Sequence, residues 1–85
     1  MKNTVSLYTT AGCHLCEQAE AMFLYLQQNH EQVNNNFELQ EIEIANSEAL
    51  VELYGVRIPV LAVGDNELGW PFELEELVDW LSANK

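Results

Sequence analysis

The fold of this chain is decided by one stretch, VSLYTTAGCHLC, which covers residues 5–16. A short run with alternating apolar residues predicts a strand, small residues follow it as a turn, and a C-x-x-C pair opens a helical pattern. The free N–H groups and the dipole at a helix N-terminus favour a thiolate over a thiol. A cysteine in such a place can have a pKa of roughly 3.5–7.5 instead of about 8.5. The stretch therefore predicts dithiol–disulfide exchange at Cys13 and Cys16.

The length and composition predict one small domain with its own core. The chain has 85 residues, of which 48% are hydrophobic. Cys13 and Cys16 are its two cysteines, and a disulfide that closes so short a loop would add little stability. Since the sequence shows neither a signal-like segment nor a run of 18 apolar residues, we expect a cytoplasmic protein. In a reducing compartment a C-x-x-C pair is more often catalytic or metal-binding than structural.

The charge of the chain is strongly negative. Fourteen acidic residues stand against three basic ones, Lys2, Arg57 and Lys85, which gives a formal net charge of −11. Solubility is the simplest explanation, and a partner with a basic docking face is the alternative. Because no basic patch is present to replace the counterions of a phosphate backbone, we do not expect nucleic-acid binding. We expect a monomer that does not associate with membranes.

The periodicity of the apolar residues predicts the element order β-α-β-α-β-β-α. The first half predicts a strand over residues 1–9, a helix from His14 to about Asn29, and a polar loop at residues 34–36. The buried face of that helix is predicted to carry Leu15, Ala19, Met22, Phe23 and Leu26. A second strand is expected over residues 37–44, with either a bulge or a later start near Gln40, because the apolar alternation slips there.

The second half predicts a short helix, a hairpin and a last helix. Asn46 or Ser47 is expected to cap the short helix at its N-terminus, and Gly55 to follow its C-terminus. Residues 60–63 predict a buried strand, residues 64–66 a hairpin turn, and residues 73–83 the final helix. A strand–helix–strand unit followed by a hairpin predicts a mixed four-stranded sheet with helices on both faces. The fold class is therefore α/β.

Three segments together resemble a known family. The residues Tyr8-Thr9-Thr10-Ala11-Gly12-Cys13-His14-Leu15-Cys16, then Ile58-Pro59-Val60, then Leu68-Gly69-Trp70-Pro71-Phe72 resemble the glutaredoxin-like branch of the thioredoxin superfamily. The resemblance covers the chain nearly end to end and implies one thioredoxin-fold domain over residues 1–85. It implies that Cys13 is the attacking cysteine and the more exposed one, and that Cys16 is the buried, resolving cysteine. It also implies a cis Ile58–Pro59 bond facing the pair, where an extended peptide or glutathione could pair with the backbone of Ile58.

The sequence departs from typical glutaredoxins around the expected glutathione pocket. They carry a basic residue three positions before the first cysteine, where this chain has Thr10. They also carry Gly-Gly and then Asp before the last helix, where this chain has Gly69-Trp70-Pro71-Phe72-Glu73. We expect Trp70 to crowd that pocket. The dipeptide between the cysteines, His14-Leu15, also differs from the usual Pro-Tyr.

Three further residues are candidates for substrate binding. His14, when protonated, would favour the Cys13 thiolate, or it is simply exposed to solvent. Arg57 would contact a substrate carboxylate, or it pairs with a surface acid. Trp70 would anchor a protein partner, or it packs in the core beside Phe72.

The sequence thus predicts a thiol–disulfide oxidoreductase with a role in electron transfer and cell redox homeostasis. We expect a disulfide of a protein or glutathione substrate, and no bound cofactor. Glutathione as a co-substrate and a flavoprotein of the thioredoxin-reductase type are the two candidate reductants, and Trp70 favours the second. Two alternatives stay open: metal or iron–sulfur handling through the two thiolates, and a thioredoxin-fold adaptor without enzymatic activity.

Overall fold

Four strands and four helices make up the computed structural model, which describes residues 2–85. The strands are β1 (Asn3–Thr9), β2 (Phe37–Glu43), β3 (Val60–Val63) and β4 (Asn66–Gly69). The helices are α1 (His14–Asn29), α2 (Glu31–Asn36), α3 (Glu48–Tyr54) and α4 (Leu74–Ala83), with a 3₁₀ turn at Ile44–Asn46. The sheet order is β2-β1-β3-β4, with β1 parallel to β2 and antiparallel to β3, and with β4 antiparallel to β3. The predicted mixed four-stranded sheet is confirmed.

The larger core lies on the face of the sheet that α1 and α4 cover. It joins Val5 and Leu7 of β1 to Leu61 of β3 and to apolar residues of both helices. The buried face of α1 consists of Cys16, Ala19, Phe23 and Leu26. Leu15 was predicted on this face, but it is 45% exposed. The reason is that the stripe begins one residue later, at Cys16, which places Leu15 outside the buried arc.

A smaller core lies on the opposite face. It consists of Ile44, Tyr54 and Val60, with Tyr8, Leu50 and Ile58 packed against them. Because successive strand residues point to opposite faces, Leu7 and Tyr8 serve different cores. The 3₁₀ turn and α3 therefore cover this second face, and the prediction of helices on both faces is confirmed.

Strand β2 has no bulge and begins at Phe37 rather than near Gln40, so both of those predictions were wrong. Its pairing with β1 runs without interruption from Asn3–Phe37 to Thr9–Glu43. The apolar alternation slips because the apolar residues in the second half of this edge strand lie on the opposite side of the sheet from those in the first half. Strict alternation then places Glu41 and Glu43 on the same side of the sheet as Leu39.

The predicted polar loop at residues 34–36 was also wrong, because these asparagines belong to α2. Helix α2 begins directly after α1, and the N–H groups of Val33 and Asn34 both donate to the carbonyl of His30. Val33 is buried in the larger core. Packing of this one valine and the local hydrogen bonds outweigh the low helix propensity of asparagine.

The remaining boundaries agree closely with the sequence. Ser47 caps α3, because its hydroxyl oxygen accepts the N–H of Leu50 at 3.3 Å. Gly55 is the C-cap residue of that helix, in right-handed helical conformation rather than the left-handed one that favours glycine. The Ile58–Pro59 bond is cis, as expected, and so is Trp70–Pro71, which the sequence did not predict. Within residues 2–85, none of the helices has the length and hydropathy needed to cross a membrane.

Candidate active site

The cysteine pair lies where β1 ends and α1 begins. Gly12 has φ +82° in the connecting turn, a conformation that residues with a side chain rarely adopt. The turn is closed by a hydrogen bond of 3.2 Å from Cys13 N–H to the carbonyl of Thr10. Cys13 and Cys16 are disulfide-bonded, with their Cα atoms 5.2 Å apart. The β1 strand and the helix thus hold the two sulfur atoms at the end of the sheet.

The two cysteines differ in exposure and in hydrogen bonding. Cys13 is half-buried, whereas Cys16 is 2% exposed, in the order that the resemblance implies. Cys13 is the N-cap residue of α1, and its Sγ accepts the N–H of Cys16 at 3.1 Å. A backbone N–H and the positive end of the helix dipole both stabilise negative charge on a sulfur atom at this position. The geometry therefore suits Cys13 to carry the nucleophilic thiolate after reduction.

Pro59 lies at the same end of the sheet as the cysteine turn. Strand β3 runs antiparallel to β1 and pairs Val60 with Tyr8, so the residues just before β3 face the residues just after β1. The Pro59 ring is buried, and its carbonyl accepts the N–H of Trp70 at 3.2 Å. Ile58 N–H already donates to the carbonyl of Tyr54 at 3.0 Å. Of the two backbone polar groups of Ile58, only the carbonyl could therefore form a hydrogen bond with an incoming strand.

A cleft of about 430 Å³ opens beside the disulfide. One wall is the cysteine turn with the first turns of α1, and the other is the end of β2. Its lining includes both cysteines and four glutamates, which are Glu17, Glu20, Glu41 and Glu43. None of the residues that line it, among those the structure describes, is Lys, Arg or His. The reactive pair therefore borders a cavity with an excess of negative charge.

Glu43 is the most firmly held of these carboxylates. Its Oε1 accepts the N–H of Ala11 at 3.0 Å, and its Oε2 accepts the N–H of Ala45 at 3.0 Å. The hydrogen bond from Ala45 and one from the Thr10 side chain are the main reasons that the pKa of Glu43 lies below its usual range. Since Ala11 is two residues before Cys13, this carboxylate ties the end of β2 to the cysteine turn.

His14 and Trp70 occupy different environments. The His14 side chain is 89% exposed, and its Nδ1 lies 3.6 Å from Oε2 of Glu17. Trp70 is half-buried against the larger core and meets the buried Phe72 edge-on, with ring centroids 5.1 Å apart. The core placement expected for Phe72 is confirmed, and Trp70 combines partial packing with partial exposure.

Arg57 belongs to a cluster on the other face of the sheet. Its guanidinium donates to Oε1 of Glu67 at 2.8 Å and lies 5.2 Å from the centre of the Tyr54 ring. The Tyr54 hydroxyl donates to Oε2 of the same glutamate at 2.6 Å, and its ring stacks on Tyr8 with centroids 4.1 Å apart. Of the two roles considered for Arg57, the structure has the pairing with a surface acid.

The glutamates of the cleft were not predicted from the sequence. One signal was present in the helix, where Glu17 follows Cys13 by four residues and Glu20 follows Cys16 by four. That spacing places side chains on the same side of a helix. The other signal was the break in the apolar alternation of β2, where Glu41 and Glu43 face α1. Among the described residues, no group of three or more His, Cys, Asp or Glu side chains is arranged to hold a metal ion.

Comparison with known families gives one match over nearly the whole chain. The family described as "Glutaredoxin-like domain (DUF836)" matches residues 4–82. That segment contains the cysteine pair, Pro59, Trp70 and the glutamates of the cleft. No curated protein matches the chain.

Solved structures show the same fold. The chain is 33% identical to the structural-genomics target protein XcR50 from X. campestris, with 95% of this chain and 99% of that one covered and a TM-score of 0.76. It is 34% identical to protein Ne2328 from Nitrosomonas europaea, with coverage of 94% and 92% and a TM-score of 0.73. It is also similar to the germline-specific thioredoxin protein Deadhead from Drosophila melanogaster, at 20% identity, coverage of 96% and 80%, and a TM-score of 0.60. That last similarity shows a shared thioredoxin fold.

Proposed function

Because this chain belongs to the glutaredoxin-like domain family and shares the thioredoxin fold, we propose that it is a thiol–disulfide oxidoreductase. Cys13 is the attacking cysteine and Cys16 the resolving one. The observation that carries the proposal is the half-buried Cys13 at the N-cap of α1, joined by a disulfide to the buried Cys16. The pair closes a loop too short to stabilise the fold much, so a redox role explains it better than a structural one.

The reaction begins with the reduced pair. The Cys13 thiolate attacks one sulfur of a substrate disulfide, the substrate S–S bond breaks, and the other substrate sulfur leaves as a thiolate that takes a proton from water. A mixed disulfide now joins Cys13 to the substrate. Cys16 then gives its proton to water and attacks Sγ of Cys13. The bond between Cys13 and the substrate breaks, the second substrate sulfur leaves as a thiolate that takes a proton from water, and the Cys13–Cys16 disulfide forms. Two electrons pass from the protein to the substrate.

The surroundings of the pair support this division of roles. Cys13 is reachable from the cleft and is stabilised as a thiolate by the Cys16 N–H and the N-terminus of α1. Cys16 lies one helical turn further and is packed among the residues of the buried face. A buried second cysteine attacks only the adjacent mixed disulfide, because a bulky substrate cannot reach it.

A protein reductase is our preferred electron donor, and the substrate is a protein disulfide. Trp70 is held against Phe72 at the position where typical glutaredoxins leave room for glutathione, which supports this choice. The cluster around Glu67 holds Arg57, so this cation is not free to pair with a glutathione carboxylate in the present conformation. The reaction serves electron transfer and redox homeostasis through the same two cysteines.

Two coupled assays test the proposal. Consumption of NADPH is followed with thioredoxin reductase in one and with glutathione plus glutathione reductase in the other, each with a protein disulfide as the terminal acceptor. We expect turnover with the first system, weaker turnover with the second, and none in either with Cys13→Ser. Full activity of Cys13→Ser would refute the proposed function, and faster turnover with glutathione would refute the preferred donor.

A further inference from the structure

The cleft beside the disulfide is charged on both of its walls. Glu17 and Glu20 come from α1, whereas Glu41 and Glu43 come from β2, and both cysteines lie between these walls. A substrate disulfide that reaches Cys13 must bring its flanking groups to this cavity. Carboxylates on the walls of a cavity raise the local concentration of cations and lower that of anions.

The charge of Glu43 is fixed in place. Its two oxygens each accept a backbone N–H, from Ala11 and Ala45, so the carboxylate keeps one position relative to the cysteine turn. The bond from Ala45, together with one from the Thr10 side chain, holds the pKa of Glu43 below its usual range, so the group is ionised at neutral pH. Neither donor carries a formal charge, so the negative charge of the carboxylate is not cancelled by them.

We propose, on the basis of the disulfide exchange proposed above, that the cleft selects substrates whose disulfide is flanked by positively charged groups. Glu43 is the main specificity-determining residue, and Glu17, Glu20 and Glu41 add to the same field. When Cys13 attacks, the arm of the substrate that enters the mixed disulfide stays covalently next to the cleft. A cationic arm is attracted there, while an anionic arm such as that of glutathione is repelled.

Three small disulfides with arms of similar length test this directly. Cystamine is cationic, bis(2-hydroxyethyl) disulfide is neutral, and 3,3′-dithiodipropionate is anionic. The fully reduced protein is mixed with each one, and formation of the Cys13–Cys16 disulfide is timed by acid quench and mass spectrometry. Each rate is divided by the rate of dithiothreitol with the same disulfide, which removes the differences in intrinsic reactivity.

We expect the normalised rates to fall from cystamine to the neutral disulfide to the anionic one. At low ionic strength the ratio of the first to the last should be about tenfold. In about 0.5 M sodium chloride most of this preference should disappear, because the field of the glutamates is screened.

Glu43→Gln should lower the ratio about threefold, because one fixed charge is removed from the cleft. Glu38→Gln is the matched control, since Glu38 is an exposed carboxylate on the same strand and lies outside the cleft. It should leave the ratio unchanged. If the loss of an anchoring hydrogen bond prevents Glu43→Gln from folding, Glu41→Gln removes a charge from the same wall and should also lower the ratio.

The outcomes separate this inference from the proposed function. Equal normalised rates for the three disulfides, or a ratio that neither cleft variant lowers, would overturn the charge selection while leaving the exchange chemistry in place. A protein that reacts with none of the three disulfides would refute the exchange chemistry itself.

Discussion

Two edge strands of the sheet each carry a glutamate whose pKa lies below its usual range, and the two glutamates have opposite surroundings. Glu67 of β4 accepts the Tyr54 hydroxyl and the guanidinium of Arg57. Glu43 of β2 accepts backbone N–H groups of Ala11 and Ala45. Arg57 balances the charge of Glu67, whereas the backbone groups leave the charge of Glu43 uncompensated.

The difference shows how one residue type serves two purposes in a small domain. The Glu67 cluster lies outside the cysteine cleft and joins β4 to the segment between α3 and β3. Glu43 lines the cleft and holds the turn that leads to Cys13. We therefore expect changes around Glu67 to alter stability and changes around the cleft to alter the reaction.

The largest expected effect belongs to the cleft. Cys13→Ser should reduce disulfide exchange by at least about a thousandfold, because a serine hydroxyl cannot form the mixed disulfide. Glu67→Gln, at the other edge, should keep more than half of the wild-type rate per folded molecule. Rates of NADPH consumption in the coupled assay measure both. A large loss of rate in Glu67→Gln with the fold intact would contradict the assignment of the Glu67 cluster to stability and of the cleft to the reaction.

A change at Tyr54 should have the converse effect. Tyr54→Phe removes the hydroxyl that donates to Glu67 and should lower the free energy of unfolding by about 1–2 kcal/mol, since the lost bond is to a charged acceptor. Urea denaturation of the reduced protein measures this change. Tyr25→Phe is the control, because Tyr25 is 53% exposed. Equal stability of the two variants would show that the Glu67 cluster does not support the fold.

Acid should weaken the Glu67 cluster. The hydrogen bond from Tyr54, and then the one from Arg57, lower the folded-state pKa of Glu67 below its ordinary value of 4.5. The unfolded chain therefore binds this proton more tightly, so the contribution of Glu67 is present above pH 4.5 and is lost as the pH falls through the folded-state pKa.

Because Glu67 is partly exposed, the part of its contribution that depends on the charge of the carboxylate should be less than about 1 kcal/mol. Denaturation of wild type and Glu67→Gln across the acidic range gives the measurement. The stability difference between the two proteins should shrink as the pH falls. A difference that stays constant or grows with acid would contradict the assigned hydrogen bonds.

The smallest effect is expected at His14. Its side chain is exposed and already lies beside Glu17, so His14→Ala should change the rate of Cys13 alkylation by less than about twofold across the pH profile. Iodoacetamide labelling of the reduced protein gives the profile. A displaced profile would show that His14 stabilises the thiolate and that the helix N-terminus is not sufficient.

The sequence predicted the cysteine turn and the sheet because both depend on local patterns. Gly12 before Cys13, the stripe of α1 and the hairpin at Gly64 each follow from neighbouring residues. The helix at residues 31–36 could not be predicted in this way, because it depends on the burial of Val33 in a distant core. Tertiary packing there overrides local propensity.

The surroundings of the site were harder to predict than the site itself. Glu43 contacts Ala11, which lies 32 positions away in the sequence. Predicting this contact requires the register between β1 and β2, and local sequence patterns do not reveal that register. The pairing of Arg57 with Glu67 rather than with another acid has the same origin. The break in the apolar alternation of β2 was visible in the sequence. Glutamates that face α1 explain this break better than a bulge does.

The most direct test of the account is to trap the mixed disulfide. Reduced Cys16→Ser is treated with bis(2-hydroxyethyl) disulfide and its intact mass is recorded, with Cys13→Ser treated in parallel. We predict a lasting adduct of one 2-mercaptoethanol on Cys13 in the first variant, slow or no labelling in the second, and an internal disulfide without an adduct in the wild type. Labelling of Cys16 in Cys13→Ser as fast as labelling of Cys13 in Cys16→Ser would contradict the assignment of the two cysteines.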